Sequence, residues 1–188
     1  MDKKLRIVGG TFRGRTIFAP KGMGTRPTTD RTRESLFNII DHGYTGCEGT
    51  RALDLFAGSG AMGLEALSRG ASFALFVEDA ASARGAIREN VEALGLQGHT
   101  KIFRRDATKL GSLPAALGAP FNLVFCDPPY GKGLGTRAIT SARGGGWLAI
   151  GALLLVEEAK GAFEAPDGFD VLETRDFGDT EVTFLRLA

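Results

Sequence analysis

The run Phe121-Asn122-Leu123-Val124-Phe125-Cys126 ends in Asp127-Pro128-Pro129-Tyr130, and no other stretch narrows the possible folds as far. An apolar run of this length suits a strand in a sheet covered on both faces. Pro128 and Pro129 cannot donate ladder hydrogen bonds and each fixes its own φ, so the strand must stop there in a stiff corner. Open α/β sheets place their sites at the carboxyl ends of strands, which is where this corner falls. Asp127 brings acceptor oxygens, Pro128 a carbonyl with no N–H beside it, and Tyr130 a flat face. Such a corner suits an exocyclic amino group on a planar base, with acceptors for its hydrogens and a ring to stack on. A plain Pro-Pro turn closing a strand is the simpler alternative.

A second stretch fixes the layout. Arg51–Phe56 reads as a strand, Ala57–Gly63 as a glycine turn and Leu64–Arg69 as a helix stopped by Gly70. The pattern Gly58-x-Gly60-x-x-Gly63 is weak alone, but here it follows a strand and opens a helix. Asp54 precedes the turn by four residues. A carboxylate there repels a pyrophosphate and attracts a cationic ligand. Glu78 ends the next strand, Ser72–Glu78, at the place where an acidic side chain can accept from both ribose hydroxyls. Asp79 follows and is free to cap the helix Ala80–Leu94. After the strand Lys101–Arg104, Asp106 is placed either to meet an adenine amino group or to cap a helix over Ala107–Leu117 that Pro114 interrupts. Thr136–Arg143 reads as a short helix, Ala152–Glu157 as a strand, and Phe169–Thr174 with Glu181–Leu187 as a closing antiparallel pair. Gly131–Gly135 is a flexible loop suited to closing over a target.

Strands alternating with helices argue an α/β fold with a mostly parallel sheet wrapped on both sides. Right-handed crossovers bring Asp54, Gly58, Gly60, Glu78, Asp106, Asp127 and Tyr130 to one edge. Ahead of this domain, Leu5–Val8 and Thr16–Phe18 read as a β-hairpin with a mobile, cationic tip carrying Phe12, Arg13 and Arg15. A helix then starts at Thr29 or Asp30. We divide the chain into 1–42, a basic hairpin and helix, and 43–188, the main domain.

The 188 residues carry a net charge of only +1, which excludes a global pull on nucleic acid. Met1–His42 nevertheless holds nine basic against four acidic residues, leaving the remainder acidic. A basic arm on an acidic body suits a polyanionic partner. Two cysteines, Cys47 and Cys126, and two isolated histidines give no metal-ligand spacing and no disulfide framework. No apolar run suggests a signal peptide or a membrane span. The expectation is a cytoplasmic chain with no metal and no membrane partner, in which nothing demands more than a monomer.

Leu53–Gly60, Glu78 and Asp127-Pro128-Pro129-Tyr130 resemble the class I S-adenosylmethionine-dependent methyltransferases that act on amino nitrogens. Arg6–Gly10, Arg26–Arg31 and Phe177-Gly178-Asp179-Thr180 narrow this: the chain is similar to the RsmD-type guanine-N2 methyltransferases of small-subunit (16S) ribosomal RNA, over nearly its whole length. Cys126 departs from the commonest pattern and leaves the acceptors intact. The resemblance implies a Rossmann-like, mostly parallel seven-stranded sheet with an antiparallel C-terminal strand. It implies S-adenosyl-L-methionine across the glycine turn, bound by Asp54, Phe56, Gly58, Gly60, Glu78, Asp79, Asp106, Ala107 and Thr28. Asp127 and Pro128 would hold the amine of a flipped guanine, with Tyr130 stacked on it. Arg13, Arg15, Arg26 and Arg31 would contact 16S ribosomal RNA or the small subunit. Other readings are an amino methyltransferase of DNA adenine or protein glutamine, and a catalytically silent RNA-binding assembly factor. A nicotinamide dehydrogenase is disfavoured by Asp54 and by the lack of a placed proton donor.

Overall fold

The computed structural model describes residues 4–20 and 28–188. Lys4–Arg6 (β1) and Thr16–Phe18 (β2) form a small antiparallel sheet, and Asp30–Gly43 (α1) follows. The main sheet takes Arg51–Leu55 (β3), Phe73–Val77 (β4), Thr100–Phe103 (β5), Phe121–Cys126 (β6), Leu148–Ala159 (β7), Phe169–Phe177 (β8) and Thr180–Leu187 (β9). Its helices are Ala61–Ser68 (α2), Ala81–Leu94 (α3) and Leu134–Gly144 (α4). The spatial order is β5-β4-β3-β6-β7-β9-β8. The first five strands are parallel, and β9 runs antiparallel between β7 and β8. This is the mostly parallel seven-stranded sheet with an antiparallel C-terminal strand that the alternation and the resemblance predict.

Successive residues of a strand face opposite sides, and this sorts the core into two layers. Leu123 and Phe125 of β6 pack with Phe76 and Leu155 under α1, α2 and α3. Val124 and Cys126 pack with Leu55, Val77 and Val156 under α4 and Trp147. With both sides covered, the central strands read as unbroken apolar runs. Helix α2 reaches β4 because residue 63 has no side chain: a Cβ there would lie 2.5 Å from the Phe76 ring. Gly63→Ala is expected to cost about 1–3 kcal/mol through this overlap, seen as a lowered urea midpoint with an unchanged denaturant slope.

The N-terminal elements are not a loose arm. Leu5, Ile7 and Ile17 of the hairpin and Leu36, Phe37 and Ile40 of α1 share one apolar layer with the main sheet. The tip, expected to be mobile, is docked on the end of α2. The Val8 and Gly9 N–H groups donate to the two Glu65 oxygens at 2.9 and 2.8 Å. Thr11 N–H donates to the Ser68 carbonyl at 2.8 Å and Phe12 N–H to Ser68 Oγ at 2.9 Å. A Cβ on Gly10 would sit 1.8 Å from the Ser68 carbonyl oxygen. Here glycine serves close approach as well as the left-handed backbone, φ +74°, that the turn requires.

Asn90, fully buried, fastens the other side of the hairpin. Its Oδ1 accepts from Phe18 N–H at 2.8 Å, and its Nδ2 donates to the carbonyls of Phe18 and Ser59 at 2.9 and 3.0 Å. Asn90→Ala leaves three backbone groups without this partner. A loss of roughly 2–4 kcal/mol is expected in chemical denaturation, from desolvated groups left unpaired.

Two local expectations are corrected. Ala107–Leu117 is not one helix but two single turns of 3₁₀ helix, Ala107–Lys109 and Ala115–Leu117, separated where Gly111 takes φ +68° and Pro114 caps the second. Asp79 does not cap α3, whose N-cap is Ala80 with no side-chain bond.

Candidate active site

The carboxyl ends of β3, β4 and β6 open onto one cleft of about 580 Å³, a size that suits a nucleoside joined to an amino acid. The chain leaves β3 through Phe56, Gly58 and Gly60 at φ 57°, 58° and 79°. Phe56 is the one non-glycine in the left-handed region among the described residues. Holding it there costs about 1–2 kcal/mol. Its ring packs against the apolar layer under α4, which keeps the conformation in place. Strain of this kind persists where surrounding structure over-determines it, and it clusters at functional sites.

Asp54 is 3% exposed, and its Oδ2 accepts from Gly63 N–H at 3.0 Å. Removal from water, with Glu78 adding like charge, pushes its carboxyl up to about 8. Glu78 accepts from Gly58 N–H and Ala80 N–H, one per oxygen and both at 2.9 Å. It therefore braces the glycine turn against the start of α3, the backbone work the sequence had suggested for Asp79. Each Glu78 oxygen keeps one acceptor direction. Thr28, Phe56, Gly58 and Asp79 complete the wall on this side.

Three of the expected residues are not part of this lining. Gly60 is the N-cap of α2 and is not part of the cleft lining. Asp106 is exposed, and its Oδ1 accepts from Thr108 N–H and Thr108 Oγ1 at 2.8 and 2.7 Å, which holds its carboxyl below the usual range. Neither Asp106 nor the buried Ala107 lines the cleft.

Across the cleft stands the corner after β6. Asp127, Pro128, Pro129 and Tyr130 all line it. Burial pushes the Asp127 carboxyl well above the ordinary range, and nearby Glu157, Asp54 and Glu158 push it further. Tyr130 is 41% exposed, and its hydroxyl donates to Glu157 Oε1 at 3.2 Å. Burial, then the carboxyls of Asp127, Glu157 and Glu158, raise the phenol above its usual value. The next residue of the loop is tied down: Gly131 N–H donates to the buried Glu158 at 3.1 Å.

Sequence reasoning missed Glu157, Glu158 and Arg33. The two glutamates close the apolar run Ala152–Val156 as Asp127 closes Phe121–Cys126, and that parallel was the available signal. Arg33 is 1% exposed and lines the cleft. It donates to the Thr28 carbonyl at 3.0 Å and to Asp30 at 2.8 Å. No local pattern announces a buried arginine.

Among the described lining residues the ionisable groups are Asp54, Glu78, Asp79 and Asp127 against Arg33 alone, and a cation in the cleft would favour the ionised forms of Asp54 and Asp127. Such a wall suits a cation with a nucleoside attached and opposes a pyrophosphate. The donors and acceptors fit the sulphonium nucleoside that the resemblance implies. Of the four arginines expected to meet RNA, Arg13, Arg15 and Arg31 are exposed, with Arg15 also donating to the Ala93 carbonyl at 2.7 Å. Arg26 lies outside the described residues. Among the described residues no helix is long and apolar enough to cross a membrane.

The family model described as conserved hypothetical protein 95 matches residues 5–186. The ribosomal RNA small subunit methyltransferase D of Escherichia coli strain K12 is 41% identical over 159 residues, covering 82% of this chain and 74% of that protein. A putative rRNA methyltransferase of Bacillus subtilis is 40% identical over 126 residues, covering 67% of each. A solved structure of a putative methyltransferase from Escherichia coli superposes with a TM-score of 0.82 at 33% identity, over 98% of both chains.

Proposed function

The chain belongs to the conserved hypothetical protein 95 family, and from that premise we propose that it transfers a methyl group from S-adenosyl-L-methionine to the exocyclic N2 amine of a guanine in 16S ribosomal RNA. The Escherichia coli relative carries small-subunit ribosomal RNA methylation in its name, and the Bacillus subtilis relative rRNA methylation. The observation that carries the reading is the Asp127-Pro128-Pro129-Tyr130 corner facing an acid-lined cleft beside a glycine turn.

The bound cofactor supplies an electrophilic methyl on a positively charged sulphur. Asp54 and Asp79 favour that charge, and Glu78 turns its remaining acceptor directions to the ribose hydroxyls. Thr28, Phe56 and Gly58 enclose the cofactor, while Gly60 sets the start of α2 behind them. Asp106, beyond the lining at the carboxyl end of β5 with Ala107 beside it, keeps Oδ2 clear of Thr108 and would meet the adenine amine only where the nucleoside extends along the sheet edge. The guanine enters flipped from its stack, and Tyr130 stacks on it. Asp127 and the Pro128 carbonyl accept the two amine hydrogens, aim the nitrogen lone pair into the cleft and offset the positive charge that grows on nitrogen. The amine proton becomes acidic only after the methyl has moved, so Asp127 need not be a strong base. Catalysis is then positioning plus electrostatics, with no covalent enzyme intermediate.

Residues 1–42 form the RNA-facing side of the 43–188 catalytic domain. Arg13, Arg15 and Arg31, with Arg26, grip phosphates. The protein works as a monomer in the cytoplasm, on the 16S RNA or the small subunit. The test is mass mapping of 16S RNA from cells lacking the protein. One guanine should lack its N2 methyl, and purified protein with labelled cofactor should restore it. A complete set of methyls in the deletion strain refutes the reading.

A further inference from the structure

Glu157 stands beside Asp127 for a topological reason. Cys126 pairs with Val156 across parallel β6 and β7, so Asp127, just past the end of β6, comes beside Glu157, which stays within β7 and pairs with Val182 of β9. Both line a small recess with Met62 and Leu155. Three hydroxyls fasten Glu157, each from a different part of the chain. Thr28 Oγ1 donates to Oε2 at 3.1 Å, while Tyr130 Oη and Thr180 Oγ1 donate to Oε1 at 3.2 and 3.1 Å. Anchoring Tyr130 alone would need one such bond. A carboxylate oxygen accepts two hydrogen bonds, so among the described residues Oε1 is filled and Oε2 keeps one direction open on a half-buried residue.

We propose that this open acceptor on Glu157 reads the identity of the base, taking the N1–H of guanine while Asp127 takes the N2 amine. The inference rests on the guanine-N2 reading above. Guanine presents N1–H and N2–H as neighbouring donors. Adenine and cytosine also carry an exocyclic amine, but beside it each has a ring nitrogen lone pair, which a carboxylate repels. The proline corner by itself accepts any planar amine. Glu157 supplies the discrimination against adenine and cytosine.

2-Aminopurine keeps the ring and the 2-amine but has a lone pair at N1 and no O6, so the N1 contact is isolated by comparing the base preference of wild type with that of a Glu157 variant, in which the loss of O6 is common to both. The guanine that the wild-type protein methylates is located by mass mapping and replaced with 2-aminopurine by RNA ligation. Wild type should prefer guanine by at least about 100-fold in kcat/KM, as expected when a site built for an N–H meets an analogue lacking it. Glu157→Gln offers an amide N–H to N1 and should narrow the preference to below about 5-fold, partly by improved transfer to 2-aminopurine. This variant keeps an acceptor oxygen and removes one charge from a crowded acidic cluster, so folding is not the obstacle. If Glu157 only anchors Tyr130, Thr28 and Thr180, both substrates slow by the same factor. An unchanged ratio with an active wild type overturns this inference alone. A wild type that leaves every guanine N2 unmodified overturns the function reading and this inference with it.

Discussion

Asp127→Ala is expected to lower methyl transfer by about 10³-fold or more, a loss at the upper end of that seen when one preorganised partner of a developing charge is removed. Affinity for S-adenosyl-L-methionine should stay within a few-fold. The separation follows from where the residue sits. Asp127 opens the corner after β6, whereas Gly58 and Glu78, bonded to each other, belong to the glycine turn after β3 and the end of β4. No side-chain hydrogen bond holds its carboxyl among the described residues. Its acceptor oxygens are free for substrate, and removing them takes no support from the cofactor wall. Single-turnover assays on 16S RNA and calorimetric titration with the cofactor measure the two quantities separately. Near-normal turnover by the alanine variant would remove Asp127 from the chemistry. The pH dependence has a definite sign. A protonated Asp127 gives up acceptor capacity, and its carboxyl is held above the ordinary range. Transfer should therefore rise with pH from the acid side.

Asp54→Asn should make the unliganded protein more stable at neutral and higher pH, and should weaken cofactor binding. The Asp54 carboxyl is 3% exposed with one backbone partner, and its pKa is raised from 3.8 to about 8. Between those values the unfolded chain has released this proton while the folded protein retains it. Stability therefore falls as pH rises through that window and levels off above it. Each unit of separation corresponds to about 1.4 kcal/mol. Asparagine keeps an acceptor for Gly63 N–H and carries no charge. A gain of a few kcal/mol near pH 8, roughly 5–10 °C in melting temperature for a domain of this size, is expected. The gain should fade toward pH 4. Thermal melts of both proteins across that range test it, and parallel curves would show that Asp54 is not the group being titrated.

What the sequence made legible was what is local in the chain. Asp127 through Tyr130 are consecutive, and Gly58, Gly60 and Gly63 keep a fixed spacing, so their chemistry could be read without knowing what lies across from them. What stayed hidden depends on partners far away. Glu157 acquires its setting from Thr28, 129 residues distant, and from Thr180, 23 residues distant. The docking of the hairpin tip depends on Glu65 and Ser68, more than fifty residues on. Glycines at residues 9 and 10 look the same in sequence whether they confer freedom or admit a neighbouring carbonyl. Glu78 was found by its position at a strand end, yet its bonds to Gly58 and Ala80 show it also shapes the turn. Ala107–Leu117 was misread because apolar residues around Leu110, Leu113 and Leu117 fit a helix, whereas Gly111 and Pro114 leave room only for single turns.

The acid-lined wall also governs exit. Glu78 and Asp79 attract a sulphonium, whose charge also favours the ionised form of Asp54, but once the methyl has left, the sulphur before them is neutral. One unit charge lost at about 5 Å in an effective dielectric near 20 is on the order of 3 kcal/mol of attraction withdrawn. The same carboxylates that load the enzyme thus loosen their hold on the by-product.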